Sequence, residues 1–323
     1  MKRKIRYSIV IPVYNEEAVI NETYRRLTQV MESTREPYEL LFVNDGSGDR
    51  TAEIIEGFAK TDQCVRLLDF SRNFGHQIAI TAGMDYARGD AIVIIDADLQ
   101  DPPELIPRMI EKWQEGYEVV YARRTKRKGE TLFKRWTASL FYRTLRALTD
   151  VNIPVDTGDF RLIDRSVCEA MRGIREKNRF VRGLVSWVGF RTTAIEYVRE
   201  ERLAGETKYP LKKMLRFSMD GITSFSYKPL KLSTYLGFAV TLASFVYLAI
   251  SLGQRLFTAN TAAGSPLMAC LVLLNGVTLI ILGIVGEYIG RIYDETKNRP
   301  LYILRGRTGE EQARSKGVIW SVR

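Results

Sequence analysis

Short apolar runs rich in β-branched residues alternate with longer amphipathic stretches in the amino-terminal part of the chain. The predicted strands are Tyr7–Val13, Glu39–Val43, Val65–Phe70, Ala91–Ile95 and Glu118–Ala122, and the predicted helices lie around Ala18–Glu32, Thr51–Lys60, Gln77–Ala87 and Glu104–Glu115. This alternation indicates an α/β fold with a mainly parallel sheet that helices cover on both faces. Ligands of such sheets bind outside the carboxyl ends of the strands, so the chemistry is expected there.

Two long uncharged runs follow in the carboxyl-terminal part, Leu232–Gly253 and Gly264–Gly286. Each is long enough to cross about 30 Å of hydrocarbon as a helix. Because the connector is short, the two runs predict a two-helix transmembrane hairpin; a pair of buried core helices is the alternative. Lysine and arginine flank both outer ends of the hairpin. This bias predicts that the amino-terminal region and both termini are cytoplasmic.

Two further stretches, Phe133–Leu148 and Leu211–Phe225, have apolar residues at helical spacing with basic residues between them. A helix of this kind lies in the interface of an anionic bilayer. An ordinary helix packed on the protein core is the alternative. Their position beside the predicted hairpin favours interfacial amphipathic helices that hold the α/β domain against the membrane.

Composition and charge narrow the possible functions. The chain has 323 residues, of which 46% are apolar, and 48 basic against 38 acidic residues give a formal charge of +10. That charge favours an anionic partner such as phosphate, nucleic acid or lipid headgroups. The three cysteines have no CxxC spacing, which argues against a disulfide framework and a thiolate zinc site. The single histidine, His76, excludes zinc chemistry of the HExxH type.

Acidic and small residues follow three of the predicted strands, in the segments Pro12–Glu16, Asn44–Ser47 and Asp96–Gln100. Asp96 and Asp98 leave a buried strand two residues apart, so both carboxylates can reach one site, where a divalent cation relieves their repulsion. A solvated turn is the alternative for such a pair. An acidic residue, Asp45, also follows the second predicted strand, and this favours the metal site over a solvated turn. A cation held by a few oxygens would keep coordination positions open for a diphosphate.

A glycine-rich turn, Gly46–Thr51, imitates a dinucleotide-binding fingerprint because it follows a strand and opens a helix. Thr51, however, stands in place of the third glycine. Asp45 and Asp49 would also put negative charge where a pyrophosphate should rest. The turn therefore does not predict an oxidoreductase, and its acids suit hydrogen bonds to a base or a ribose.

Six motifs occur in order at or near the predicted strand ends. They are PVYNE at Pro12–Glu16, NDGS at Asn44–Ser47, SRNFGHQ at Ser71–Gln77, DADLQDPPE at Asp96–Glu104, DTGDFRL at Asp156–Leu162 and GETKY at Gly205–Tyr209. With them the chain resembles glycosyltransferase family 2 and, within it, the polyisoprenyl-phosphate glycosyltransferases, the group of bactoprenol glucosyltransferase and dolichol-phosphate mannose synthase. The resemblance extends over most of the chain and implies a glycosyltransferase A-type fold. The QxxRW run of processive polysaccharide synthases does not occur in this sequence.

The resemblance also implies the site residues, position by position. The donor nucleotide sugar would be bound by Pro12, Tyr14, Asn15, Glu16, Asp45, Ser47, Asp96 and Gln100. A divalent metal, Mg²⁺ or Mn²⁺, would be held by Asp96, Asp98 and Gln100. The catalytic residues would be Asp159, Asp98 and Asp156. Charge and position, more than the resemblance, suggest that Arg123, Arg135, Arg202 and Lys208 bind the acceptor phosphate: a reaction between two anions needs cations, Arg123 leaves a strand end, and Arg202 and Lys208 lie in a loop that closes over the site in this family.

Asp159 matches the position usually assigned in the family as the general base. A lipid phosphate monoester has a second pKa of about 6 and is largely ionised at neutral pH, so it needs little deprotonation. Asp159 is therefore expected to orient the acceptor, to balance arginines or to stabilise positive charge that develops on the sugar.

The predicted function is metal-dependent, inverting transfer of a sugar to a polyisoprenyl phosphate, undecaprenyl phosphate, at the cytoplasmic face of a bacterial membrane. UDP-glucose is the favoured donor, GDP-mannose and a UDP-aminosugar are alternatives, and a non-catalytic scaffold that binds nucleotide sugar or lipid is a remote one. The expected domains are a cytoplasmic glycosyltransferase domain (1–210), an interfacial helix (211–230), a transmembrane hairpin (231–290) and a cytoplasmic tail (291–323). No nucleic-acid partner is expected, and the sequence is compatible with a homo-oligomer.

Overall fold

The computed structural model describes residues 4–126, 157–198, 228–257 and 264–308. In chain order its elements are β1 (Tyr7–Val13), α1 (Ile20–Ser33), β2 (Tyr38–Asn44), α2 (Thr51–Thr61), β3 (Val65–Phe70), α3 (His76–Tyr86), β4 (Ala91–Ile94), a 3₁₀ turn (Pro103–Leu105), α4 (Ile106–Gln114), β5 (Val119–Lys126), β6 (Thr157–Asp164), α5 (Arg165–Arg172), α6 (Val181–Trp187), β7 (Thr192–Val198), α7 (Lys228–Phe257), α8 (Gly264–Thr296) and β8 (Leu304–Arg307). The predicted strands and helices of the amino-terminal part are all present. The elements from β6 to β7, and β8, were not predicted.

All eight strands form one sheet, in the order β7–β5–β6–β4–β1–β2–β3–β8. The four neighbours β4, β1, β2 and β3 are parallel. β6 runs antiparallel between β4 and β5, and β8 runs antiparallel to β3. The sheet is therefore mixed, which refines the predicted mainly parallel arrangement. Because β1, β2 and β4 are parallel, the loops that follow them meet at one edge of the sheet.

Helices cover both faces of the sheet because side chains alternate along each strand. Ile9 and Ile11 of β1 face the layer built by α1, α2 and α4. Val10, between them, faces the opposite layer, which α3, α5 and α6 build. Every residue of β1 is buried, as a strand with a helix layer on each side requires.

A buried ion pair closes the amino-terminal end of the sheet, opposite the edge where the loops meet. Glu39 of β2 and Arg66 of β3 lie 2.6 Å apart, and their side chains are 1% and 4% exposed. Glu39 also accepts hydrogen bonds from the Ser8 hydroxyl (2.5 Å) and the Arg88 amide (2.7 Å). The pair therefore ties three neighbouring strands to the turn before β4.

The long helices α7 and α8 pack against each other, and a Cβ added to Gly237 would lie 3.7 Å from Cδ1 of Ile281. Many of their apolar side chains are exposed, including Phe238, Phe245 and Leu279. Within the described residues one segment, Leu273–Thr296, is long and apolar enough to cross a membrane, with a mean hydropathy of 1.7. Gly237–Tyr247 in α7 is a shorter apolar stretch. Among the described residues this length and hydropathy criterion identifies one candidate span, whereas the sequence predicts two.

The chain returns to the sheet after the hairpin. β8 pairs with the outer edge of β3, and Thr308 extends the pairing through hydrogen bonds with Leu67. The region expected as a cytoplasmic tail therefore contributes an edge strand. The predicted interfacial helices Phe133–Leu148 and Leu211–Phe225 lie outside the described residues.

The buried ion pair predicts a large difference between two otherwise similar substitutions. Glu39→Gln leaves the charge of Arg66 buried without its counter-ion and should lower the free energy of unfolding by about 3 kcal/mol. The matched control is Glu36→Gln, because Glu36 pairs with Arg6 at 3.3 Å with both side chains about 40% exposed. That change should cost about 0.5 kcal/mol or less. Denaturant unfolding of the purified variants measures both values, and equal losses would contradict the prediction.

Candidate active site

The loops after β1 and β2 interlock. They contain five of the predicted donor-binding residues, namely Tyr14, Asn15, Glu16, Asp45 and Ser47, and a sixth, Pro12, lies at the end of β1. The Asn15 amide donates to Oγ of Ser47 (3.0 Å), and the Gly48 amide donates to Oδ1 of Asn15 (2.8 Å). Ser47 in turn donates through its hydroxyl and its amide to Oδ1 of Asn44 (2.5 and 3.1 Å). The structure thus brings these predicted residues together at one edge of the sheet.

Asp45 is buried and holds the segment Ser71–Gly75, which we call the donor loop. Its Oδ1 accepts from the Phe74 amide (2.7 Å), and both oxygens accept from the Gly75 amide (3.2 and 3.0 Å). Burial raises the pKa of Asp45, although these two amides oppose the shift. Gly46 (φ 66°) allows the close approach, since a Cβ there would lie 2.5 Å from the Arg72 carbonyl carbon. Asp45 therefore shapes this wall of the site through the donor loop.

His76 joins acids from two strands. It is the first residue of α3, and its Nε2 lies 3.2 Å from Oδ2 of Asp159 on β6 and 3.5 Å from Oδ1 of Asp96 after β4. Burial disfavours the imidazolium, but the charges of Asp96 and Asp159 outweigh burial and raise the pKa of His76 to about 9. Sequence reasoning used this residue to exclude zinc chemistry and as part of the SRNFGHQ motif, but gave it no role in the site. Its place in a motif directly after β3 was the available signal.

Asp159 is buried against arginine. Nε and one terminal nitrogen of Arg182 lie 2.8 and 2.9 Å from its two oxygens, and Arg161 lies 3.5 Å from Oδ1. Burial would raise the pKa of Asp159, but Arg182 and His76 hold it well below its usual range. A carboxylate that stays ionised in this way is a weak proton acceptor, so the geometry favours the orienting role over a general base. Arg182, on α6, was not among the predicted residues.

Asp96 and Asp98 fit a divalent cation. Oδ1 of Asp96 is buried and has no hydrogen-bond partner among the described residues. Burial also raises the pKa of Asp96 to about 6, a penalty that a bound cation would offset. Leu99 (φ 56°) turns the chain so that the Gln100 amide donates to Oδ1 of Asp98 (3.2 Å). The described residues contain no cluster of three or more His, Cys, Asp or Glu suited to a metal. A cation such as Mg²⁺ is commonly held by one or two carboxylates and by substrate phosphates, so Asp96 and Asp98 remain candidate ligands on the evidence of the buried oxygen of Asp96.

A third aspartate anchors the loop after β4 to side chains of β5 and β7. Asp101 is 1% exposed and accepts from the Tyr197 hydroxyl and from Arg124 at 3.3 Å. Sequence reasoning missed this acid. Arg123, the predicted phosphate ligand next to Arg124, is half exposed and pairs with Glu196. The other predicted acceptor and catalytic residues, Arg135, Asp156, Arg202 and Lys208, lie outside the described residues.

A mixed sheet flanked by helices, with acids after β2 and β4 and on β6 at one edge, is the architecture of the glycosyltransferase A-type fold, and family profiles identify the class. The profile of glycosyl transferase family 2 matches residues 8–172, and that of the GtrB C-terminal hairpin matches residues 228–292. The chain belongs to glycosyltransferase family 2.

Relatives cover nearly the whole chain. It is 65% identical over 315 residues to the uncharacterized glycosyltransferase YkcC of Bacillus subtilis, covering 97% of this chain and 98% of that protein. It is 44% identical over 302 residues to the bactoprenol glucosyl transferase of Shigella phage SfII, covering 93% and 98%. Among solved structures, S. aureus TarS in complex with UDP-GlcNAc matches with a TM-score of 0.45 and 15% identity, covering 68% of this chain and 66% of that one.

Arg182 donates through two nitrogens to the two oxygens of Asp159. We therefore predict that sugar transfer depends on the planar geometry of the Arg182 guanidinium group as well as on its charge. Arg182→Lys keeps a positive charge but cannot hold both oxygens of Asp159, so turnover should fall by about tenfold or more. The matched control is Arg191→Lys, because Arg191 stacks on Tyr117 (4.4 Å) at the opposite end of the sheet. It should retain turnover close to that of the wild type. Rates measured at saturating donor would contradict the prediction if both variants behaved alike.

Proposed function

We propose that this glycosyltransferase carries out metal-dependent, inverting transfer of glucose from UDP-glucose to undecaprenyl phosphate at the cytoplasmic face of a bacterial membrane. The observation that carries the proposal is the convergence of Asp96, His76, Asp159 and Arg182 at the edge where the β1 and β2 loops interlock. The lipid acceptor and the glucosyl group are inferred from the phage bactoprenol glucosyl transferase, 44% identical over 93% of this chain.

The donor is held by the interlocked loops. Asn15, Ser47 and Asp45 line the nucleoside side, and Gln100 follows the acids that face the diphosphate. Asp96 and Asp98, with Gln100 beside them, would hold a divalent cation, and that cation would offset negative charge on the departing nucleoside diphosphate. The buried oxygen of Asp96, which has no hydrogen-bond partner among the described residues, supports this role.

In the transfer step, an oxygen of the lipid phosphate forms a bond to C1 of the sugar. The bond from C1 to the diphosphate oxygen breaks, and the nucleoside diphosphate leaves with the electron pair. Asp159 takes no proton, because Arg182 keeps it ionised; its negative charge orients the reactants and stabilises positive charge that develops at C1. His76 holds Asp159 and the acid after β4 at fixed separation.

The acceptor arrives from the membrane. Exposure of each CH₂ of a polyisoprenyl chain to water costs about 0.8 kcal/mol, so the protein must meet the phosphate near the headgroups. Arg123, Arg135, Arg202 and Lys208 are proposed to draw it in, with Arg123 exchanging Glu196 for the phosphate. The predicted interfacial helices would set the depth of the domain.

The sheet supports a hairpin that crosses the membrane twice. β7 precedes the hairpin and β8 follows it, and both belong to the same sheet. A chain that leaves a sheet on one side of a membrane and returns to it must cross the membrane an even number of times, which fits two crossings by α7 and α8. The domain division at 210, 230 and 290 is proposed from the sequence pattern, with residues after 300 returning to the sheet.

A panel of radiolabelled nucleotide sugars tests the proposal. Purified full-length protein in detergent is incubated with undecaprenyl phosphate, Mg²⁺ and UDP-glucose, GDP-mannose or UDP-N-acetylglucosamine. We expect label in the lipid fraction with UDP-glucose, and none when undecaprenol without a phosphate replaces the acceptor. Transfer from another donor would replace glucose in the proposal, and donor binding without transfer from any of them would favour a scaffold.

Metal dependence has its own test. Asp98→Asn should lower turnover by about a hundredfold or more, because the cation loses a charged ligand. Asp90→Asn is the matched control: Asp90 precedes the same strand, at its other end, and pairs with exposed Lys4 at 2.7 Å. It should stay active. Full activity of the wild type in excess chelator, or of the Asp98 variant, would refute the metal site.

A further inference from the structure

The segment that follows the hairpin runs along the donor loop. The Ser71 amide donates to the carbonyl oxygen of Ile303 (2.9 Å), and the exposed Arg305 donates to the carbonyl oxygen of Ser71 (3.1 Å). The first residue of the donor loop is therefore bonded on both sides to residues that follow the hairpin. This contact joins the last described part of the chain to a wall of the active site.

An aromatic column continues the contact into the loop. The ring of Tyr302 stacks on Phe70, the last residue of β3, with centroids 5.3 Å apart and planes at 11°. Phe70 packs edge-on against Phe74, with centroids 5.6 Å apart. The amide of Phe74 is the one that donates to Asp45 at 2.7 Å. Tyr302 thus reaches Asp45 through two packed rings and one hydrogen bond.

The hydroxyl of Tyr302 fixes the near end of this column. It donates to Oδ2 of Asp85 at 2.9 Å, and Arg175 lies 3.2 Å from the same oxygen. Asp85 belongs to α3, the helix that begins at His76. Tyr302 therefore contacts both the strand before the donor loop and the helix after it.

On its other side the donor loop touches Gly46, where a side chain would find no room. The loop is held between the end of β2 and the segment around Tyr302. Loss of the Tyr302 ring would leave a gap on one side only, and the loop would relax towards it, away from Asp45.

We propose that Tyr302 is a positioning residue for the donor site: through Phe70 and Phe74 it sets the donor loop against Asp45. The inference rests on the proposed function in that the loop is taken to border the nucleotide-sugar site. Its consequence is specific, because the affinity for the donor should depend on Tyr302 whereas the requirement for lipid phosphate should not.

The central test compares Tyr302→Leu with Tyr302→Phe in the full-length protein. The leucine variant loses the stack and should raise the dissociation constant for UDP-glucose about fivefold to tenfold, with the KM for undecaprenyl phosphate unchanged. The phenylalanine variant keeps the stack and should stay within about twofold of the wild type. Hydrogen exchange at the amides of Phe74 and Gly75 should be faster in the leucine variant alone.

A matched tyrosine separates positioning from general stability. Tyr24 also stacks on a phenylalanine, Phe58 (4.3 Å), and also donates to an aspartate, Asp62 (3.0 Å), but it joins α1 to α2 away from the donor loop. Tyr24→Leu should lower the Tm and leave the donor dissociation constant unchanged. If it weakened donor binding as much as Tyr302→Leu does, the positioning role would be disproved.

Two further measurements keep the outcomes distinct. If Tyr302→Leu does not fold, Phe74→Leu removes the last ring of the column and should raise exchange at the amides of residue 74 and Gly75; unchanged exchange would overturn the inference. If the wild type binds no nucleotide sugar, the proposed function fails. The exchange comparison then still decides, through the amides of Phe74 and Gly75, whether Tyr302 positions the loop.

Discussion

The buried charge of Asp159 is the constraint on which the active site depends. An ionised carboxylate inside a protein is tolerated only when it is paired and hydrogen-bonded, and here Arg182, Arg161 and His76 supply the compensation. Those three side chains come from α6, β6 and α3, so the helices of one face must be in place before the site exists. Among the described residues Asp96 pairs only with the imidazole of His76, so its charge is less fully compensated than that of Asp159.

Much of the fold could be predicted because its first half obeys simple periodicities. β1 and β3 have the predicted bounds because apolar residues dominate both segments, although β3 also carries Arg66 and Asp69 near its two ends. β6 was missed because it is buried but carries Asp159 and Arg161 in its centre, a pattern that hydrophobicity does not identify as a strand. β8 was missed because four residues with mostly exposed side chains become a strand only through pairing with β3, far away in the sequence.

The candidate site likewise contains residues that could be predicted from the sequence and residues that could not. Residues at the ends of parallel strands, such as Asp45, Asp96 and Ser47, could be predicted because strand direction alone brings them to one edge. Arg182 and Asp101 could not be predicted, because their roles depend on tertiary contacts that no local sequence pattern indicates. His76 lay in a motif that the sequence offered, but only the structure shows that it sits between two acids.

The position of β8 also has a consequence for biosynthesis. β3 leaves the ribosome with its outer edge unpaired, and the strand that covers this edge is made only after both helices of the hairpin. Co-translational folding can therefore complete the first seven strands but not the eighth. An enzyme molecule acquires its finished sheet only once the hairpin of α7 and α8 has been synthesised, so the order of translation delays completion of the catalytic domain until the hairpin exists.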